Sequence, residues 1–149
     1  YAAKMLGIDI HKACVKKAIA KSMWNGRFET VQQDPCVILD GAHNTEGVNA
    51  LCVSMKQLRK PVICVFSALK DKQVHQMAYA LKKHCDVLIV TEFENDRADR
   101  VEDLYIDGAI VEKDYLQAIQ KAIMMASGGT VVVTGSLYFI SKVRESFEK

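Results

Sequence analysis

No Gly-x-x-x-x-Gly-Lys-Ser/Thr loop occurs in the 149 residues, so the chain does not itself carry the glycine-rich cradle whose backbone N–H groups hold nucleotide phosphates. A Gly-x-Gly-x-x-Gly fingerprint is missing too, which removes the reason to expect NAD. There is no Cys-x-x-Cys pair. Cys14, Cys36, Cys52, Cys64 and Cys85 are odd in number and widely spaced, which suits neither a zinc site nor a disulfide scaffold; they read as reduced, structural thiols, with no metal site. Cys64 lies in a strand-like run and Cys52 on an apolar helix face, and neither setting offers the basic partner and exposed turn of a nucleophilic thiol. Apolar runs such as residues 87–90 and 131–133 are far too short to span a bilayer, and the N-terminus lacks a signal-peptide core. The charges nearly balance at +2, so nothing argues for nucleic acid or an acidic membrane as partner. The chain is expected to be cytoplasmic. With no initiating methionine, repeat or low-complexity tract, it is also expected to be an excised piece of a larger protein.

What is present is a core. Half of the residues are apolar, enough for one domain of this length. Valine- and isoleucine-rich runs at Cys36–Asp40, Val62–Phe66, residues 86–91 and Thr130–Thr134 show little alternation, as in strands buried on both faces. Between them lie helical stripes: Val48, Leu51, Cys52, Met55 and Leu58; Val74, Met77, Ala78 and Leu81; Tyr115, Ile119, Ala122, Ile123 and Ala126. Ile140, Val143 and Phe147 suggest a last helix. Residues 28–33 precede the first buried strand by only Asp34-Pro35, too short for a crossover, and therefore pair antiparallel. The charged stretch 94–108 reads as a surface loop with a short helix near 101–105, leading to a minor strand at 109–112. The fold class is α/β: a Rossmann-like three-layer sandwich with a mostly parallel sheet, an antiparallel edge strand and helices on both faces.

The chemistry gathers in two segments, Trp24-Asn25-Gly26-Arg27-Phe28-Glu29 and Asp40-Gly41-Ala42-His43-Asn44. The second places a carboxylate, a glycine turn and an imidazole between a buried strand and a helix, where α/β sheets bind ligands. Arg27 offers a planar fork for phosphate oxygens, or is a solvated or hinge-bridging arginine. Asp40 contacts a ligand or caps the turn that follows. His43 is a donor to phosphate or substrate, able to change protonation during turnover, or a merely packed imidazole. Asn44 is more readily an N-cap than a ligand contact, and Gly41 is read as supplying a backbone conformation closed to other residues. Lys70 and Lys72 flank Asp71 after the second buried strand, as anion ligands or as solvated charges. Ser136 and Tyr138 end the last strand, where Ser136 either donates to a ligand or caps the last helix.

These segments resemble the C-terminal domain of the Mur ligase superfamily, and most closely its folylpolyglutamate synthase and dihydrofolate synthase branch. The family pattern reads roughly Trp-Pro-Gly-Arg-x-Glu, then an apolar strand, then Asp-Gly-Ala-His-Asn-Pro; here Asn25 and Thr45 replace the prolines. The turn Ser67-Ala68-Leu69-Lys70-Asp71-Lys72 and the stretch Thr134-Gly135-Ser136-Leu137-Tyr138 continue the likeness in order. The resemblance implies ATP-dependent addition of glutamate to a folate γ-carboxylate through an acyl phosphate. It assigns Arg27, Asp40, His43 and Asn44 to the nucleotide, with His43 also catalytic, and Lys70, Lys72 and Ser136 to glutamate. It implies ATP and Mg2+, with the metal ligands in a preceding ATPase domain, and folate or dihydropteroate as acceptor. Residues 1–24 would be the tail of that domain and the hinge, and residues 25–149 the glutamate-ligase domain, expected to fold alone but to be inactive alone. Two alternatives stay open: a non-catalytic α/β binding or regulatory module, and a related ligase with another acceptor, such as a peptidoglycan precursor.

Overall fold

The structure is a computed structural model describing residues 26–70 and 73–148. The readings that rest on Trp24, Asn25, Cys14, Asp71, Lys72 and the segment 1–24 lie outside the described residues. The element order is β1 (Glu29–Gln33), β2 (Cys36–Asp40), α1 (Thr45–Met55), β3 (Val62–Phe66), α2 (Val74–Lys82), β4 (Val87–Glu92), α3 (Val101–Leu104), β5 (Ile110–Asp114), α4 (Tyr115–Ala126), β6 (Thr130–Thr134) and α5 (Leu137–Glu145). The sheet runs β1-β2-β6-β3-β4-β5. β1 is antiparallel to β2, and the other neighbours are parallel.

Each buried strand feeds two cores because successive side chains point to opposite faces. Val62, Cys64 and Phe66 of β3 join Leu88, Val90 and Val132 under the stripes of α1 and α2. Ile63 and Val65 join Val37, Leu39, Ile89, Val131 and Val133 under Ala118, Ile119 and Ala122 of α4 and Phe139, Ile140 and Val143 of α5. The expected three-layer sandwich follows. The starts of α1 and α4 are chemically marked: Asn44 Oδ1 accepts the Gly47 N–H at 2.8 Å, and Asp114 Oδ1 accepts those of Leu116 and Gln117, each satisfying N–H groups that the helix leaves unpaired. α4 stops at Ser127, in the left-handed region, followed by Gly128 at φ 85°, a common way to end a helix.

The segment 94–108 differs from a solvated loop. The short helix is present as α3, but Asp99, Val101, Leu104 and Ile106 are buried, and the strand beyond it runs two residues further than expected, to Asp114. A four-residue helix is too short for its apolar periodicity to show in sequence.

The last strand determines where a ligand can sit. β2 crosses through α1 to β3 and leaves a gap that β6 fills from the far end of the chain. The carboxyl ends of β2, β6 and β3 therefore lie side by side, with α1 and α5 departing to opposite faces. That is the crevice in which open parallel sheets bind ligands.

Candidate functional site

The turn Gly26-Arg27-Phe28 is tied to the end of β2 from several directions. Gly26 O accepts the Gly41 N–H at 2.7 Å, and Gly26 N–H donates to Glu29 Oε2 at 2.6 Å. Phe28 N–H donates to Asp40 Oδ2, and Ala42 N–H to Asp40 Oδ1, both at 2.9 Å. Phe28 sits in the left-handed region at φ 48°, which costs a bulky residue about 1–2 kcal/mol and is held only by surrounding bonds of this kind. Arg27 projects from the turn exposed, and no ion pair or hydrogen bond among the described residues engages its guanidinium.

Asp40 thus has the capping role, with each carboxylate oxygen already taking one backbone N–H; a ligand would have to use the remaining lone pairs. Gly41 needs a different explanation from the conformational one. Its φ lies outside the left-handed region, and a Cβ there would strike the Leu137 side chain and crowd Gly26 O. Space at the start of α5, not backbone freedom, calls for glycine at this position. Asn44 spends its side-chain oxygen on the α1 cap, while its amide N–H groups have no partner among the described residues.

His43 is exposed, with Nδ1 2.9 Å from Gly41 O. A carbonyl only accepts, so Nδ1 carries the proton; Nε2 is an acceptor in the neutral ring and a donor in the imidazolium. His43 forms one wall of a cavity of about 260 Å3 that also takes Lys70, Arg97, Ser136 and Tyr138, with Met77, Leu69 and Leu137 as its apolar part. Ser136 is 2% exposed, and its Oγ accepts the Tyr138 N–H at 3.2 Å. Its own O–H is thereby left to donate at the head of α5, where the partial positive charge of the helix favours an anion. Capping and donation to a ligand are compatible in this one hydroxyl.

Arg97 was not singled out in the sequence, where it lies within the charged run. Its backbone explains its presence in the cavity. Arg97 N–H donates to Asn95 Oδ1 at 2.9 Å, an Asx turn, while Arg97 O accepts the Lys70 N–H at 2.8 Å. Leu69 bridges antiparallel to Ala98, and Asp99 N–H donates to Ala68 O at 2.9 Å. The loop after β3 is zipped to the loop after β4, which puts two cations on one small cavity.

A more open cleft of about 860 Å3 lies on the other side of Lys70. Its six carboxylates, among them Glu92, Asp96 and Asp114, outnumber the three cations Lys70, Arg100 and Lys113, a balance that disfavours phosphates and carboxylates. The smaller cavity is the better anion site. No group of three or more His, Cys, Asp or Glu able to hold a metal occurs among the described residues. Burial pushes the Cys64 thiol well above its ordinary range and the Cys85 thiol up to about 11, so both stay protonated and unreactive at neutral pH.

The turn that carries Arg27 should be acid-sensitive. The Arg144 side chain, more than the Gly26 N–H, holds the Glu29 carboxyl below its ordinary value of 4.5. The stability contributed by this depressed carboxylate is complete above about pH 4.5 and is lost as the pH falls through the lower folded-state value. A melting series from pH 6 to pH 3 is expected to show Glu29→Gln with a shallower decline than wild type. Parallel curves would show that Glu29 has no share in the acid transition.

A family model described as "Mur ligase, glutamate ligase domain" matches residues 26–137, and the chain belongs to that family. Among curated relatives it is similar to the dihydrofolate synthase/folylpolyglutamate synthase of Bacillus subtilis strain 168, at 37% identity over 143 residues, covering 91% of this chain and 33% of that protein. It is also similar to the UDP-N-acetylmuramoyl-L-alanyl-D-glutamate–2,6-diaminopimelate ligase of Aquifex aeolicus, at 36% identity over 122 residues, covering 72% and 25%. Among solved structures, Escherichia coli FolC in complex with ADP superimposes at a TM-score of 0.82 with 28% identity, covering 95% of this chain and 36% of that one. The chain spans about a third of the length of the folylpolyglutamate synthase relative.

Proposed function

We propose that this chain is the glutamate-receiving domain of an ATP-dependent folylpolyglutamate synthase, whose phosphate loop and magnesium ligands belong to another domain of the same protein. The acceptor's γ-carboxylate oxygen attacks the γ-phosphorus of ATP, the bond to the bridging oxygen breaks, and ADP leaves. The glutamate amine then attacks the acyl phosphate carbon, loses a proton, and inorganic phosphate departs with the C–O bonding electrons. Both steps build negative charge, so the useful protein groups are fixed cations and donors.

The donor set fits that division of labour. Arg27 carries a guanidinium that is unpaired among the described residues, beside the end of β2, and suits phosphate oxygens. His43 and the amide of Asn44 add donors, and Asp40 acts by holding the Arg27 turn and by any ribose contact. A magnesium ion needs several oxygen ligands, and Asp40, with both oxygens already accepting N–H groups, is a poor one; the metal is assigned to the other domain. Lys70, Arg97 and Ser136 are assigned to the carboxylates of the incoming glutamate, with Lys72 beside them in sequence. The use of ATP and folates supports a cytoplasmic location.

The observation that carries this reading is the small cavity at the carboxyl ends of β2, β6 and β3, where Lys70, Arg97, His43 and Ser136 converge. Cations that hold a substrate carboxylate equally in ground and transition states provide uniform binding, whose loss appears in KM. In the full-length protein, Lys70→Ala and Arg97→Ala are each expected to raise the glutamate KM by about tenfold or more, the scale of one charge-assisted hydrogen bond, with the ATP KM within about twofold. Steady-state kinetics varying each substrate in turn tests the assignment. An unchanged glutamate KM in both variants would remove it.

A second reading keeps the chemistry and changes the acceptor to a peptidoglycan precursor. Its support is the 36% identity to the Aquifex aeolicus ligase.

A further inference from the structure

The motif around Arg27 contains a second charged residue to which the proposed chemistry gives no task. Glu29 is two positions further along, and in the structure it is drawn into an ion pair with Arg144 from the last turn of α5. Glu29 Oε2 accepts from Arg144 Nη2 at 2.5 Å and Oε1 from Arg144 Nε at 3.3 Å, the two-pronged geometry available to arginine and not to lysine. The side chains are only 21% and 18% exposed, so the pair is far less screened than a surface salt bridge. Glu29 Oε2 also takes the Gly26 N–H, which makes the same carboxylate a fastener of the turn that presents Arg27.

The charge count on this turn matters. Two guanidinium groups, those of Arg27 and Arg144, and two carboxylates, those of Glu29 and Asp40, meet at this turn; Asp40 is occupied by the N–H groups of Phe28 and Ala42, and Glu29 by Arg144 and the Gly26 N–H. Arg27 is the one of these four charged groups that no side-chain ion pair or hydrogen bond among the described residues engages. Without Arg144, Glu29 would be a mostly buried carboxylate lacking a counter-charge, and Arg27 would be the arginine two positions away in sequence. A carboxylate in that position recruits a cation or suffers a large desolvation cost.

We propose that Arg144 is a positioning residue for Arg27: by occupying Glu29 it keeps the Arg27 guanidinium free for an anionic ligand, which under the proposed function is the nucleotide phosphate. One consequence is that removing both members of the pair should do less harm to anion binding than removing Arg144 alone. Loss of Arg144 exposes a competitor for Arg27, whereas loss of Glu29 as well removes that competitor. A purely structural ion pair shares that order, because the single variant strands a part-buried carboxylate that the double variant removes; it differs in that Arg144→Met would then weaken ADP binding in an Arg27→Ala background as well, with a matching fall in melting temperature.

The test uses the full-length protein and the affinity for ADP with Mg2+, measured by calorimetry. This inference rests on the nucleotide reading of the site, and wild-type protein that binds no ADP would overturn both. With wild-type binding in place, Arg144→Met is expected to weaken ADP binding by about tenfold, the scale of one charge-assisted contact, and Glu29→Gln combined with Arg144→Met to return it to within about threefold of wild type. Adding Arg144→Met to an Arg27→Ala background is expected to change ADP binding by less than about twofold, as required if the effect passes through Arg27. Should Arg144→Met fail to fold, Arg144→Gln takes its place in the same comparison. Unchanged ADP affinity in the single variant, a double variant no better than the single, or a loss from Arg144→Met as large in the Arg27→Ala background as in wild type would overturn the clamp while leaving the proposed function standing.

Discussion

Arg27→Ala in the full-length protein is expected to lower kcat/KM for ATP by about two to three orders of magnitude, the scale for losing one donor aimed at developing charge. The expectation rests on position and on charge. The guanidinium stands on a turn fastened by Gly41 N–H, Asp40 and Glu29, and it has no internal partner among the described residues. Because no described residue depends on it for a partner, the melting temperature should move little. Arg27→Lys should recover only part of the loss, since an ammonium cannot copy the planar fork. A large drop in melting temperature matching the loss of activity would mean that Arg27 is a structural residue.

Gly135→Ala is expected to be the most damaging small substitution, costing about 3 kcal/mol or more. Gly135 has φ 120°, and a Cβ there would collide with Ser67 O and come within 2.8 Å of the Phe66 ring. Backbone strain of this kind costs about 1–3 kcal/mol, and overpacking against a fixed carbonyl and a buried ring adds about 1–3 kcal/mol. Gly108→Ala is the control. It has φ 76°, but its nearest neighbour is the flexible end of Lys82 at 3.5 Å, so only the strain remains, about 1 kcal/mol. Thermal unfolding of the two variants separates the contributions, and equal losses would refute the packing argument. Gly135 also immediately precedes Ser136, so the shift should raise the glutamate KM in whatever fraction stays folded.

The parts of the fold legible in the sequence were those whose pattern is local. Val62–Phe66 and Thr130–Thr134 are buried at every position, and unbroken β-branched runs announce such strands. Val48, Leu51, Cys52 and Met55 are all buried on α1, as their spacing requires. Asn44 and Ser136 do cap helices, and side-chain chemistry alone suggested it. The features that escaped depend on distant chain segments. Arg97 reaches the cavity through the Leu69–Ala98 bridge and the Asn95 turn, neither of which leaves a periodic trace. Gly41 answers to Leu137 at the head of α5, a contact that exists only because β6 enters between β2 and β3. Burial of Val101, Leu104 and Ile106 within a charged stretch was likewise hidden, since a single helical turn carries no measurable period.

The proposed reaction is tested most directly by incubating the full-length protein with ATP, Mg2+, radiolabelled glutamate and a reduced folate. Label should enter a product one glutamate longer than the folate, with one ADP formed per glutamate added. No labelled folate, or ATP-dependent label transfer only when a peptidoglycan precursor and its amino acid replace folate and glutamate, would contradict the account.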